Sequence, residues 1–146
     1  MAIREGSVQT AAPAQKAFDL LSDVSRHGEW AAHPLTVTRN PGPERGPGAT
    51  YSCHTAMLGG IKGAVQVISE DPPGSFVFEA QDASGHFRWS FTIVPDGSGS
   101  RITYRMEPVK VPLVMAVLTD MLIWPLAGKK GFEQTLQNIK RSVEAA

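Results

Sequence analysis

The clearest alternation in the chain runs from His86 to Val94, where Phe87, Trp89, Phe91 and Ile93 fall on one side and His86, Arg88, Ser90 and Thr92 on the other. A period of two sends successive side chains to opposite faces, so this segment predicts a half-buried β-strand. The same pattern recurs on both sides of it. Ala49 to Met57 aligns Tyr51, Cys53, Thr55 and Met57, and Ile61 to Glu70 aligns Ile61, Val65 and Val67. Ser75 to Gln81 groups Phe76, Phe78 and Ala80, while Arg101 to Glu107 groups Ile102, Tyr104 and Met106. Turn-forming clusters separate these runs at Gly59 and Gly60, Asp71 to Gly74, Asp82 to Gly85, and Pro95 to Gly99. Strands joined by connections this short can only be antiparallel. Leu35 to Arg39 predicts one further strand ahead of them, followed by the proline- and glycine-rich loop Asn40 to Gly48. Ile3 to Thr10 predicts another that joins at an edge. Ile3 and Val8 have opposite parity in it, which calls for a bulge or for one of them to face a different layer.

Helical periodicity appears in three places. Ala14 to Leu21 places Ala14, Ala17, Phe18 and Leu21 on one face, with Pro13 suited to the first turn. Val24 to Trp30 reads as a second short helix, and Trp30 either plugs a core edge or touches a ligand. The longest segment is Pro112 to Val143. It opens with an apolar run and closes as an amphipathic helix through Phe132, Leu136, Ile139 and Val143, with Lys129, Lys130 and Arg141 on its exposed side. Pro125 predicts a kink or break near Leu122 to Trp124. Gly128 and Gly131 let the backbone lie close to the sheet or leave space for a ligand. An antiparallel sheet with one apolar face must cover that face, and this segment is the only long element available. The expected architecture is α+β: a curved antiparallel sheet wrapped around a long C-terminal helix.

Composition narrows the function. At 146 residues the chain is the size of one domain, 1–146. Its 14 basic and 14 acidic residues balance, so no positive field argues for nucleic acid. The single Cys53 rules out an internal disulfide, and the scattered histidines form no spaced metal motif, so neither metal nor cofactor is expected. The first residues lack the features of a secretory signal, which makes cytoplasmic residence the expectation. Leu113 to Leu126 is interrupted by Asp120 and Pro125 and falls short of the about 20 apolar residues a membrane span needs.

Candidate chemistry concentrates on the inward face. Tyr51 and Tyr104 bring hydroxyls that need partners, whether water, another side chain or a ligand. Trp89 serves equally as core filling or as a stacking surface. Met57, Met106, Met115 and Met121 are adaptable apolar lining. Together Tyr51, Met57, Phe76, Phe78, Trp89, Phe91, Tyr104 and Met106, with Met121, Leu122 and Trp124 from the apolar helical run, form the expected ligand-binding set. His33 and His54 are weak candidates for a general base beside the two tyrosines, since neither has a visible partner. Asp120 is a lone carboxylate in an apolar run, either solvated, capping, or anchoring a pocket mouth.

The opening strand, the AAPAQKAFDLLSD helix, the VSRHGEW turn, the strands through FRWSFTIVPDGSGSRITYRME and the final GFEQTLQNIKRSV helix together resemble the START-related, or Bet v 1-like, helix-grip superfamily. The likeness spans essentially the whole chain and is closest in character to its small bacterial polyketide cyclase/dehydrase-like (SRPBCC) branch. It implies seven antiparallel strands gripping the C-terminal helix, two short helices after the first strand, and an apolar cavity between. Members bind lipids, sterols, polyketides or aromatic metabolites, and some are aromatase/cyclases that use arginine and tyrosine in the pocket. Here Tyr51 and Tyr104 match in type, while no inward arginine is evident. The leading expectation is therefore a binder of a hydrophobic or aromatic small molecule, acting as monomer or homodimer. The alternatives are a polyketide cyclase/dehydratase, and an interaction module that uses the Val111 to Leu126 region.

Overall fold

A computed structural model of the chain describes residues 1–56 and 60–146. Seven strands form one antiparallel sheet: β1 (Arg4–Thr10), β2 (Leu35–Arg39), β3 (Thr50–Thr55), β4 (Ile61–Asp71), β5 (Ser75–Asp82), β6 (Gly85–Asp96) and β7 (Gly99–Lys110), in the spatial order β1-β7-β6-β5-β4-β3-β2. The predicted meander is present, and the N-terminal strand closes its far edge on β7. Helix α1 (Ala14–Leu21) and a 3-10 turn (Val24–Glu29) follow β1. A continuous helical segment ends the chain, made of α2 (Leu113–Leu118), a π-helical stretch (Thr119–Gly128) and α3 (Lys129–Ala145). The architecture is the helix-grip arrangement expected from the pattern.

Alternation sets the faces as predicted. Tyr51, Val65, Val67, Phe76, Phe78, Phe91, Ile93, Ile102, Tyr104 and Met106 are all buried on the concave side. All but Met106 meet Ala14, Ala17, Phe18 and Leu21 of α1 and Leu136, Ile139 and Val143 of α3 in one apolar core. Gly6 of β1 is what lets α3 lie so close, since a Cβ there would sit 2.6 Å from Leu136 Cδ1.

Four details depart from the expected pattern. Val8 pairs directly with Ile102 in an unbroken register, so no bulge is needed; Ile3 precedes the strand and is half exposed. The bulge lies instead in β4 between Val67 and Ser69, turning Ile68 outward and bringing Glu70 opposite inward-facing Phe76. The β6–β7 hairpin is longer than the turn residues suggest. Pro95 pairs with Ser100 and Asp96 with Gly99, leaving only Gly97 and Ser98 as the turn, with Gly97 at φ +61°. Lastly, Pro125 does not break the helix. Its missing N–H and its ring, which would press on the preceding turn, are absorbed by widening the segment into π-helical geometry.

Asp120, within that stretch, is held by the N-terminal arm. It accepts hydrogen bonds from the Ala2 N–H at 3.1 Å and from the Arg4 guanidinium at 2.5 Å. The same guanidinium stacks over Trp124, 4.2 Å from the ring centre. Arg4 pairs with inward-facing Met106 and so lies on the concave side, an inward arginine that the pattern did not reveal. Among the described residues no helix is long and apolar enough to cross a membrane.

Candidate functional site

The concave face and the C-terminal helical segment do not close on each other everywhere. Between them lies an open pocket of about 530 Å³. The sheet contributes Phe78, Trp89 and Tyr104, the 3-10 turn contributes Val24, His27 and Trp30, and the helical segment contributes Ile123, Trp124, Gly128, Gly131 and Phe132. At its β3–β4 end Cys53, Thr55, Ile61 and Gly63 take over.

Aromatic rings dominate this lining. Phe78 and Trp89 lie 12° from parallel at 6.5 Å, and Trp89 and Tyr104 lie 26° apart at 5.0 Å. Tyr104 faces Phe132 of α3 at 5.5 Å, and Phe132 meets Trp124 at 5.7 Å. Strand geometry explains the first three, since Phe78 is paired with Trp89 and both Trp89 and Tyr104 stand on the inner side of their strands. Of the two glycines of the helical segment, Gly128 makes room for a ring of its own helix rather than for the sheet, and only Gly131 fills a foreseen role. A Cβ on Gly128 would lie 3.0 Å from the Trp124 ring, whereas a Cβ on Gly131 would meet nothing within 4 Å. Gly131 leaves space.

Polar groups in the pocket are few. His27 is buried between the Trp30 and Phe78 rings, at 4.6 and 5.1 Å. Its Nε2 lies 2.9 Å from the Leu21 carbonyl. A carbonyl only accepts, so Nε2 carries the proton and the neutral ring keeps its lone pair on Nδ1. Burial pushes its pKa down to about 4, against smaller opposing effects from the Leu21 bond and Asp23. Tyr104 is 6% exposed, and burial drives its hydroxyl well above the ordinary tyrosine range. That hydroxyl makes no hydrogen bond to any described residue. Among the described residues the pocket lining contains no lysine and no arginine, and its one carboxylate, Asp82, belongs to the exposed β5–β6 hairpin, where it accepts from Ser84.

The structure brings together Phe78, Trp89, Tyr104, Trp124 and His33 of the predicted residues on this lining. Tyr51, Phe76, Phe91 and Met106 are buried in the core beside it. The Tyr51 hydroxyl donates to the Glu44 carbonyl at 2.8 Å and so ties the proline-rich loop to the core. Met121 is 77% exposed and Leu122 50%, both on the outer surface of the π-helical stretch. His54 pairs with Lys62 on the convex face. Met57 lies outside the described residues.

His27 escaped the sequence reading, yet a signal existed. Val24, His27 and Trp30 are spaced by three, and in a 3-10 helix residues three apart eclipse one another. All three are buried.

No curated protein matches this sequence. Solved structures that resemble it include protein TTHA0849 from Thermus thermophilus, with TM-score 0.77 at 14% identity, covering 99% of this chain and 98% of that one. Protein CV1439 from Chromobacterium violaceum gives 0.74 at 15% identity, with 99% of each chain covered. Protein Ms6760 from Mycobacterium smegmatis gives 0.72 at 17%, covering 99% of this chain and 91% of that one. At these identities the likeness concerns the fold. The sequence itself matches the family described as polyketide cyclase / dehydrase and lipid transport over residues 1–144. The concave sheet, the gripped helix and a sequence match along nearly its full length place this chain in that family.

Proposed function

We propose that this protein binds a hydrophobic or aromatic small molecule between the sheet and the C-terminal helical segment. One observation carries the reading: a wall of aromatic side chains stands across from a helix that presents Gly131 to open space, so the volume between them is left unfilled. Its size falls within the roughly 300–1,000 Å³ usual for small-molecule sites. Gly131→Leu tests it by filling that space from a helical position. Uptake of the neutral dye Nile red is expected to fall about tenfold or more, while the thermal midpoint holds or rises, since leucine favours a helix over glycine by roughly 0.5–1 kcal/mol. A parent protein that takes up no Nile red, or a variant that takes it up equally well, would refute the proposal.

A cyclase or dehydratase in the same pocket needs a group that exchanges a proton near neutral pH. Burial moves His27 and Tyr104 in opposite directions away from that range. This supports binding over catalysis by those two residues.

The outer surface of the helical segment supports a second, compatible reading. Leu113, Val114, Val117, Leu118, Met121, Leu122 and Leu126 are all exposed along it, and its one charged residue, Asp120, is engaged by Arg4. Contiguous exposed apolar surface of this kind marks a contact site, and we read it as the face shared by two copies of the chain. Light scattering across concentration, with and without anionic lipid vesicles, checks this. A dimer dispersed by Leu113→Ser with Met121→Ser supports it. A monomer at every concentration overturns it, and co-sedimentation with vesicles would then give the face to a membrane.

A further inference from the structure

We infer that the pocket takes an uncharged, largely apolar compound bearing a carbonyl oxygen, which the Tyr104 hydroxyl receives as hydrogen-bond donor. The inference rests on the binding proposal above and specifies the chemistry of its ligand.

Charge is the first filter. A carboxylate or phosphate taken out of water needs a cation or several donors to compensate its lost hydration. Among the described residues the lining offers neither lysine nor arginine, and the three residues outside them, Met57, Leu58 and Gly59, have no ionisable side chain. Arg4, the inward arginine, is spent on Asp120 and Trp124. His27 is held neutral, its one N–H given to Leu21, and His33, the other histidine of the lining, is exposed to solvent at its edge. Fatty-acid and phospholipid anions are therefore poor fits, and so are cations, because Asp82 stands on the exposed hairpin and already accepts from Ser84.

Apolarity is the second. Phe78, Trp89 and Tyr104 stack on one another across adjacent strands, at 6.5 and 5.0 Å, so the wall they turn to the pocket is hydrocarbon and rewards an apolar ligand body.

The third is an unanswered polar group within a ligand's reach. Of the unpaired donors on the lining, the Trp30 indole N–H is sealed off, whereas the Tyr104 hydroxyl is not among the fully enclosed atoms. The Tyr104 side chain is enclosed by Trp30, Trp89, Phe91 and Phe132, yet its hydroxyl bonds to no described residue. A ligand that displaces water from this hydroxyl must give it a partner or leave it unpaired, and a carbonyl oxygen arriving there gives it one. By contrast, Tyr51, the other tyrosine on the same face, already has its partner in Glu44.

Three compounds sharing one ring system separate these filters: 2-acetylnaphthalene, 2-ethylnaphthalene and 2-naphthoate, each measured by displacement of Nile red at neutral pH. The ketone is expected to bind about tenfold more tightly than the hydrocarbon, as one hydrogen bond to an otherwise unpaired buried group implies. It should exceed the carboxylate by at least as much. Tyr104→Phe should erase the preference for ketone over hydrocarbon, with the loss falling on the ketone, and leave the thermal midpoint unchanged, because the hydroxyl has no partner among the described residues to lose. Carboxylate binding equal to the ketone overturns the inference, as does an undiminished ketone preference in Tyr104→Phe. Nile red uptake that Gly131→Leu blocks, without any ketone preference, refutes this inference and leaves the binding proposal standing; no uptake of Nile red at all refutes both.

Discussion

Phe91→Ala is expected to lower the unfolding free energy by about 3–5 kcal/mol, the cost of emptying a large aromatic site that cannot collapse. Phe91 is fully buried, with its ring against Trp30, Phe78 and Tyr104 at 5.6, 6.4 and 4.7 Å. That loss is a large part of the about 5–15 kcal/mol that holds a domain folded, so urea denaturation should show a midpoint shifted far down or no folded baseline. Phe87 sits on the same face of the same strand, four residues earlier, and provides the contrast. It is half-buried and borders the pocket, so its truncation should cost roughly 1 kcal/mol. Equal losses at the two sites would mean that the pocket is filled and that Phe87 belongs to the core. The unequal pair would separate the part of the concave face that carries the fold from the part left free for a ligand.

That division is what the sequence did not disclose. Alternation put Phe76, Phe78, Trp89, Phe91 and Tyr104 on one surface, and ring contacts among them bear it out. The same alternation has no means of telling that Phe78, Trp89 and Tyr104 border open space while Phe76 and Phe91 do not. The distinction depends on how far the helical segment reaches along each strand, a matter of tertiary packing. The helical run was similarly ambiguous. An apolar stretch without a clear period reads equally as lining or as surface, and the structure turns Trp124 inward and Met121 and Leu122 outward. Asp120 was weighed as solvated, capping or a pocket anchor, whereas its partner came from the other end of the chain. Parity within β1 did contain a usable clue. Arg4 is in step with Val8, which pairs with inward-facing Ile102, so fixing Val8 inward also fixes Arg4 there.

His27 supplies the second large effect, a loss of about 2–3 kcal/mol of stability between about pH 7 and about pH 4.5. In the folded protein its pKa is pushed from 6.5 down to about 4, chiefly because burial disfavours the charged ring. The unfolded chain leaves it near 6.5, so below that value unfolding takes up a proton that the folded state refuses. The stabilising contribution is therefore whole above the unfolded pKa and drains away as pH falls through the folded one. Glu29, Glu79 and Glu144 act in the same sense but later. Hydrogen bonds, chiefly from Arg26, from Arg88 and from the Ala11 N–H respectively, hold them below the usual carboxylate range, so their contributions are lost mainly below about pH 4.5. The interval above that is where His27 stands out. Urea titrations at several pH values should show a falling midpoint across it in the parent and a much flatter one in His27→Gln, which keeps an N–H for the Leu21 carbonyl and removes the titration. A parent slope matched by the variant would mean that the ring accepts a proton in place, and that the wall between Trp30 and Phe78 is wet rather than apolar. A flat variant would show that His27 of the parent is uncharged throughout the neutral range and adds no positive charge to the pocket wall between Trp30 and Phe78.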